Sequence, residues 1–295
     1  MRVALAEAHW RGAASWLAFL FLVLAGWAAL FVMSREIAAG SSASLLGPGM
    51  GLLAPWFYSS PETASAGGGG LLPTTLEQAL AVICGAGPSS GEVALPSLIA
   101  MWALMALSMM APTALPLLRA YGELMTGNPL RVPLLGFWAL LAGFCLVWLG
   151  FAVLAALFQA LAGSADIMTT GGLLRPGWMT AALLALAGFY QFSALKAACL
   201  SRCRSPMAFF FSHWREGTAG ALRMGLLQGL ACLGCCWALM ALAFVGGTMN
   251  LVWMGLAMVL MATEKLSTLG KIITAPLGAL LLASAAISAI WAATS

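Results

Sequence analysis

Apolar residues in this chain gather into long runs, and charged residues fall almost entirely in the segments between them. A helix needs about 20 apolar residues to cross the roughly 30 Å hydrocarbon layer of a bilayer. Runs of that order cover residues 16–33, 96–118, 133–163, 177–195, 224–246, 251–263 and 272–293. The pattern predicts an all-α fold, a polytopic membrane bundle of about seven transmembrane helices. Only structures that satisfy their own backbone hydrogen bonds cross lipid. The first run is longer than the apolar stretch of a signal peptide, about 7–15 residues, so it reads as an uncleaved helix.

The intervening segments divide the chain. Residues 1–34 form an N-terminal segment with the first helix. Residues 35–95 hold a run of glycines at 67–70 together with scattered serines and prolines, and read as a long polar loop. Short interfacial pieces are expected within it, at 52–58 and 76–84. Residues 96–295 form a six-helix core. Gly247-Thr248-Met249-Asn250 makes a tight turn between the fifth and sixth helices. Gly225 and Gly229, four apart at the start of the fifth, permit close approach of a neighbouring helix. No internal repeat stands out.

Charge sets the expected orientation. With the N-terminus inside, every Lys and Arg except Arg35 and Arg175 falls on the cytoplasmic side. That is the bias the positive-inside rule demands, and it gives an N-in, C-out topology. It also keeps Lys, Arg, Asp and Glu away from helix centres, where each costs about 2.5–3.5 kcal/mol on insertion scales. Composition agrees: 62% of residues are hydrophobic and 7% charged, with a mean hydropathy of +0.99. So little charge cannot cover a water-facing surface. The lipid bilayer is the expected partner, nucleic acid is not, and no protein partner is indicated.

Chemistry concentrates in the cysteines. Cys232, Cys235 and Cys236, with Gln228 and Met240, recur at steps of three and four and so share one face of the fifth helix. That face runs about 18 Å at about 1.5 Å per residue. Its thiols and thioether are soft donors suited to Cu(I) or, as thiolates, to Zn(II). Neighbouring Cys235 and Cys236 point about 100° apart on a helix, so a metal would need ligands from another element. Cys199 and Cys203, four apart beyond the fourth helix, supply a second pair. Lys196, Arg202 and Arg204 flank them and are expected to raise their thiolate fraction. His213 is a weaker candidate. The plain alternative is that these cysteines pack as small apolar residues.

Methionines at 101, 105 and 109, and again at 254, 258 and 261, form helical stripes that read first as adaptable packing. Tyr190, Gln191, Ser193, Gln228 and Asn250 are expected to hydrogen-bond between helices. There is no HExxH, P-loop or CxxCH motif and no pair of intramembrane carboxylates, so no catalytic residue is assigned. Cys84 is the single external thiol in this topology, which argues against thiol oxidation on that side.

Several stretches resemble a known bacterial family: 188–196, Cys199-x-x-x-Cys203-Arg204-Ser205-Pro206, 220–225, and Cys232-Leu-Gly-Cys-Cys-Trp-Ala-Leu-Met240. Met249-Asn250-Leu251, Glu264-Lys265 and the stretch from Met101-Trp102 to Met109-Met110-Ala-Pro112 extend the likeness. The chain resembles, from about Met101 to Leu282, the domain-of-unknown-function 2182 family of predicted metal-binding integral membrane proteins. The resemblance implies a bacterial cytoplasmic membrane and a metal, copper or zinc, on Cys199, Cys203, Cys232, Cys235 and Cys236, with Met240 nearby. Similar proteins often carry His where this chain has Gln228, a departure within the implied site. Three functions remain open: metal handling or delivery, a metal-free structural or assembly subunit, and a metal-dependent membrane enzyme.

Overall fold

The apolar runs become helices because a backbone in apolar surroundings must pair its own N–H and C=O groups. The computed structural model describes residues 2–40, 95–127, 134–169, 172–248, 250–266 and 269–294, with side chains in the first segment from 14 to 34. In chain order the helices are α1 (Arg2–Gly40), α2 (Leu95–Met110), α3 (Leu115–Thr126), α4 (Leu134–Ser164), α5 (Gly177–Gln191) and α6 (Ala194–Arg204). They continue as α7 (Pro206–His213), α8 (Gly217–Ala241), α9 (Ala243–Gly246), α10 (Leu251–Glu264) and α11 (Leu269–Thr294). Among the described residues the one β feature is an isolated antiparallel bridge between Met168 and Leu174.

Among the described residues, five helical stretches are long and apolar enough to cross a membrane: Ala14–Ser34, Leu95–Met125, Leu134–Ser164, Gly217–Gly246 and Leu269–Thr294. The bent pair α5 and α6, which turns by 61°, makes a sixth if counted as one span. The one expected helix left, the sixth in chain order, is α10, whose 14 residues fall short of a full crossing. Large apolar side chains cover the outside, including Phe21, Leu154, Phe189 and Trp291. Such a surface suits lipid contact. Helix α1 continues to Gly40, past the apolar run that ends at 33. The interfacial pieces expected at 52–58 and 76–84, and Cys84, lie outside the described residues.

Two local breaks shape the core. Pro112 has no N–H to donate to the Ser108 carbonyl; the Trp27 indole Nε1–H of α1 donates there instead, at 3.2 Å. The chain tightens into a 3₁₀ turn, Ala111–Ala114, before α3 begins. The second break follows Gln191, where α5 ends and Ser193 caps α6 by accepting from the Lys196 N–H at 3.1 Å. The fourth helix was expected to run to 195; it stops a turn early, and the bend carries the basic segment back against the bundle.

The contact of α4 with α8 is the most intimate in the fold. A Cβ at Gly225 would stand 2.1 Å from the Leu140 carbonyl oxygen, and one at Gly143 would stand 2.2 Å from that of Leu222. Gly229 faces the Phe144 carbonyl and Val147. The small-residue spacing read in the sequence thus serves backbone-to-backbone packing. We expect Gly225→Val to force these helices apart and to cost at least roughly 1–3 kcal/mol. Gly255→Ala, where nothing lies within 4 Å, should be neutral. Thermal unfolding of the two variants in detergent checks both outcomes.

Candidate metal centre

The α4 contact fixes α8, and α8 presents its cysteines inward: Cys232, Cys235 and Cys236 are each 1% exposed. The bend after α5 lays α6 along the same side. Cys203 from α6 thereby comes within 3.9 Å of Cys235, sulfur to sulfur. Cys235 and Cys236 lie 3.2 Å apart, and the Cys235 thiol donates to the Cys232 carbonyl at 3.1 Å. The second element that the adjacent thiols needed is therefore α6. Cys199 has its sulfur against Gly234, where a Cβ would approach it to 2.6 Å. Met240, one turn beyond Cys236, faces a different cavity.

A small cavity opens beside this cluster. Its volume, about 10 Å³, matches a single water-sized occupant. Cys203, Cys232, Thr113, Phe144, Gln228 and Lys265 are among its walls. The Lys265 ammonium donates to Cys232 Sγ at 3.1 Å and to Thr113 Oγ1 at 2.8 Å. Thr113 in turn donates to the Met110 carbonyl at 2.7 Å, within the 3₁₀ turn that Pro112 creates. Gln228 Oε1 is buried and has no hydrogen-bond partner among the described residues. A buried amide oxygen left without a donor costs about 1–3 kcal/mol.

The basic residues act differently from their sequence reading. Lys196 and Glu264 are each 1% exposed and form a buried ion pair, with Nζ 2.8 and 2.9 Å from the two carboxylate oxygens. Arg204 Nε donates to the Glu264 carbonyl at 2.9 Å, and Arg202 is exposed. Among the described residues the side chains of Lys196 and Arg204 hydrogen-bond elsewhere than to the thiols they flank. The cation at the sulfurs is Lys265, which orientation alone had placed as a cytoplasmic marker. Lys196, in the first turn of α6, and Glu264, the last residue of α10, stand at helix ends and are nonetheless buried, where they neutralise each other. Glu264-Lys265 directly after an apolar run was the available signal: one charge of each sign where a helix end meets the bundle.

His213 does not join the cluster. It stacks on Phe209, with centroids 5.0 Å apart, at the end of α7, and its Nδ1 meets Ser212 Oγ at 2.8 Å. Tyr190 and Asn250 behave as expected of polar groups at depth. The Tyr190 hydroxyl donates to the Gly234 carbonyl on α8, and Asn250 caps α10 while its Nδ2 donates to the Gly246 carbonyl at 3.0 Å.

Among the described residues no three His, Cys, Asp or Glu side chains form a ready-made coordination group. The thiols are held by one another, by the Cys232 carbonyl and by Lys265. Their chemistry nonetheless fits a soft ion. Sulfurs bound tetrahedrally at about 2.3 Å stand about 3.8 Å apart, and Cys203 and Cys235 already have that separation.

Residues 99–288 match the model of the PpoB2 family, described as a copper chaperone. That is nearly two thirds of the chain, and the protein belongs to this family. No curated protein and no solved structure matches it. The match supports a metal-related family over nearly the same residues; it carries the PpoB2 name rather than that of the domain-of-unknown-function 2182 family.

The buried pair gives a structural prediction. Removing one partner of such a pair leaves a lone buried charge and costs about 3–5 kcal/mol. Lys196→Met should therefore destabilise strongly, and Lys196→Met/Glu264→Leu should regain much of the loss. Unfolding midpoints in detergent for both variants decide this.

Proposed function

We propose that this member of the copper-chaperone family is a membrane protein that holds Cu(I) on cysteine thiolates and passes it on. The carrying observation is the one-ion cavity walled by Cys203 and Cys232, from two different helices, with Lys265 and the orphaned Gln228 oxygen beside them. Cys235, 3.9 Å from Cys203, and Cys236, 3.2 Å from Cys235, stand behind that wall as the next thiols to accept the ion. Gln228 lines the cavity with its amide, and the soft ligands are the sulfurs.

Charge favours copper over zinc. Two thiolates and one Cu(I) carry a net charge of about −1, and the Lys265 ammonium brings the assembly to neutrality in a medium that penalises uncompensated charge. The same two thiolates with Zn(II) are already neutral, so Lys265 would leave a surplus positive charge. Soft sulfur ligands also suit Cu(I).

The N-in, C-out reading puts the thiol cavity in the cytoplasmic half of the bundle, on the side of the basic segment 196–223. A reducing compartment there keeps thiols free. On this reading, with its seven helices, the chain sits in a bacterial cytoplasmic membrane. The cysteines then belong to the core after the loop.

The test is copper per chain after detergent purification and Cu(I) reconstitution under reducing conditions. Wild type should carry near-stoichiometric copper, and Cys203→Ser/Cys232→Ser should lose it. Copper absent from both would reject the thiolate site and leave these thiols as packing residues of an assembly subunit. Lys265→Met should weaken Cu(I) binding by roughly 10–100-fold, as loss of an outer-shell partner does, while changing Zn(II) binding little. Competition titrations with a chromophoric chelator measure both affinities.

A further inference from the structure

Helices α2, α8 and α10 bring four methionines to one point. Met105 and Met109, four apart on α2, share a helical face. Met240 of α8 and Met254 of α10 meet them, and all four are 2% exposed or less. With Trp253 they wall a cavity of about 10 Å³, room for a single water-sized occupant. None of its lining residues lines the thiol cavity. The two are linked along α8, where Met240 follows Cys236 by one turn, about 6 Å at 1.5 Å per residue.

Water does not suit this space. A buried water needs two to four polar partners, and the lining side chains are apolar apart from the Trp253 indole. That N–H is already donated to the Leu242 carbonyl at 3.1 Å. Packing accounts for any one of these methionines, since a flexible thioether ordinarily closes gaps. It does not account for four methionines from three helices lining one gap that none of them fills.

We propose that this cavity is a second cation site, built of neutral thioethers and specific for a soft monovalent ion of the Cu(I) or Ag(I) class. Thioethers select Cu(I) and bind Zn(II) poorly. The Trp253 ring on the wall adds an aromatic surface that attracts a cation once it is desolvated. A neutral donor set leaves the ion's charge uncompensated, so it binds less firmly than at thiolates and is ready to move on. Transfer to the thiols is a ligand exchange: copper–thioether bonds break, copper–thiolate bonds form, each thiol still protonated gives up its S–H proton to solvent, and copper stays Cu(I). The proposal takes its cargo from the copper reading and needs no cysteine ligand.

The experiment uses full-length protein in detergent, with methionine methyl groups labelled with carbon-13, titrated with Ag(I) as a diamagnetic stand-in for Cu(I). At saturation the methyl resonances of Met105, Met109, Met240 and Met254 should shift, while that of Met207, partly exposed on α7, stays put. Met105→Leu/Met254→Leu, which nearly conserves volume, should lower bound Ag(I) by one ion per chain. Failure of the thiolate site alone leaves these shifts in place and removes only the binding that depends on Cys203 and Cys232. Unshifted core methyls at saturation, or an unchanged capacity in the folded double variant, overturns the proposal. Should that variant not fold, the wild-type methyl shifts decide by themselves.

Discussion

Charge inside a low-dielectric bundle must be matched locally, and the dipeptide Glu264-Lys265 at the end of α10 meets that demand in two directions at once. Glu264 turns to Lys196 on α6 and receives it on both carboxylate oxygens. Lys265 turns to Thr113, in the turn between α2 and α3, and to Cys232 on α8. Four elements are thereby tied at one level of the molecule, and the tie ends on a sulfur. Breaking an ion pair of this kind strands a charge, which makes its geometry stiff. The thiol cavity takes its shape from that stiffness.

The remaining architecture delivers the sulfurs to this tie. Glycines at 143 and 225 let α8 press backbone against α4, so the cysteine face points inward. Pro112 breaks the second span, and the resulting 3₁₀ turn sets Thr113 beside Lys265. Ser193 starts α6 after the bend and swings Cys203 toward α8. Each device is local and is set by one or two residues, yet together they bring thiols from two helices to the same few ångströms. Copper handling asks for such a site: soft donors, a compensating cation and little room for water.

Much of this was legible in the sequence. The helical runs came through because apolar length is a direct consequence of bilayer thickness, and the α8 face came through because periodicity places Cys232, Cys235 and Cys236 together. The pairing of Cys203 with that face was suggested by the need for a second element, but which cysteine of the pair would arrive depended on the bend at Phe192-Ser193. The inward turn of Lys265 was not legible, because a charge count treats every Lys alike and only tertiary structure shows which one faces the thiols. Lys196 was misread for the same reason. The methionine stripes on α2 and α10 were visible, but a stripe does not reveal that two of them converge with Met240 on a common gap.

X-ray absorption at the copper K-edge, on protein loaded with one equivalent of Cu(I), tests the central claim most directly. The account predicts a Cu(I) edge and a first shell of sulfur alone, two or more atoms, unchanged in Cys199→Ser and altered in Cys203→Ser. A first shell of nitrogen or oxygen, or a sulfur shell indifferent to Cys203, would contradict it.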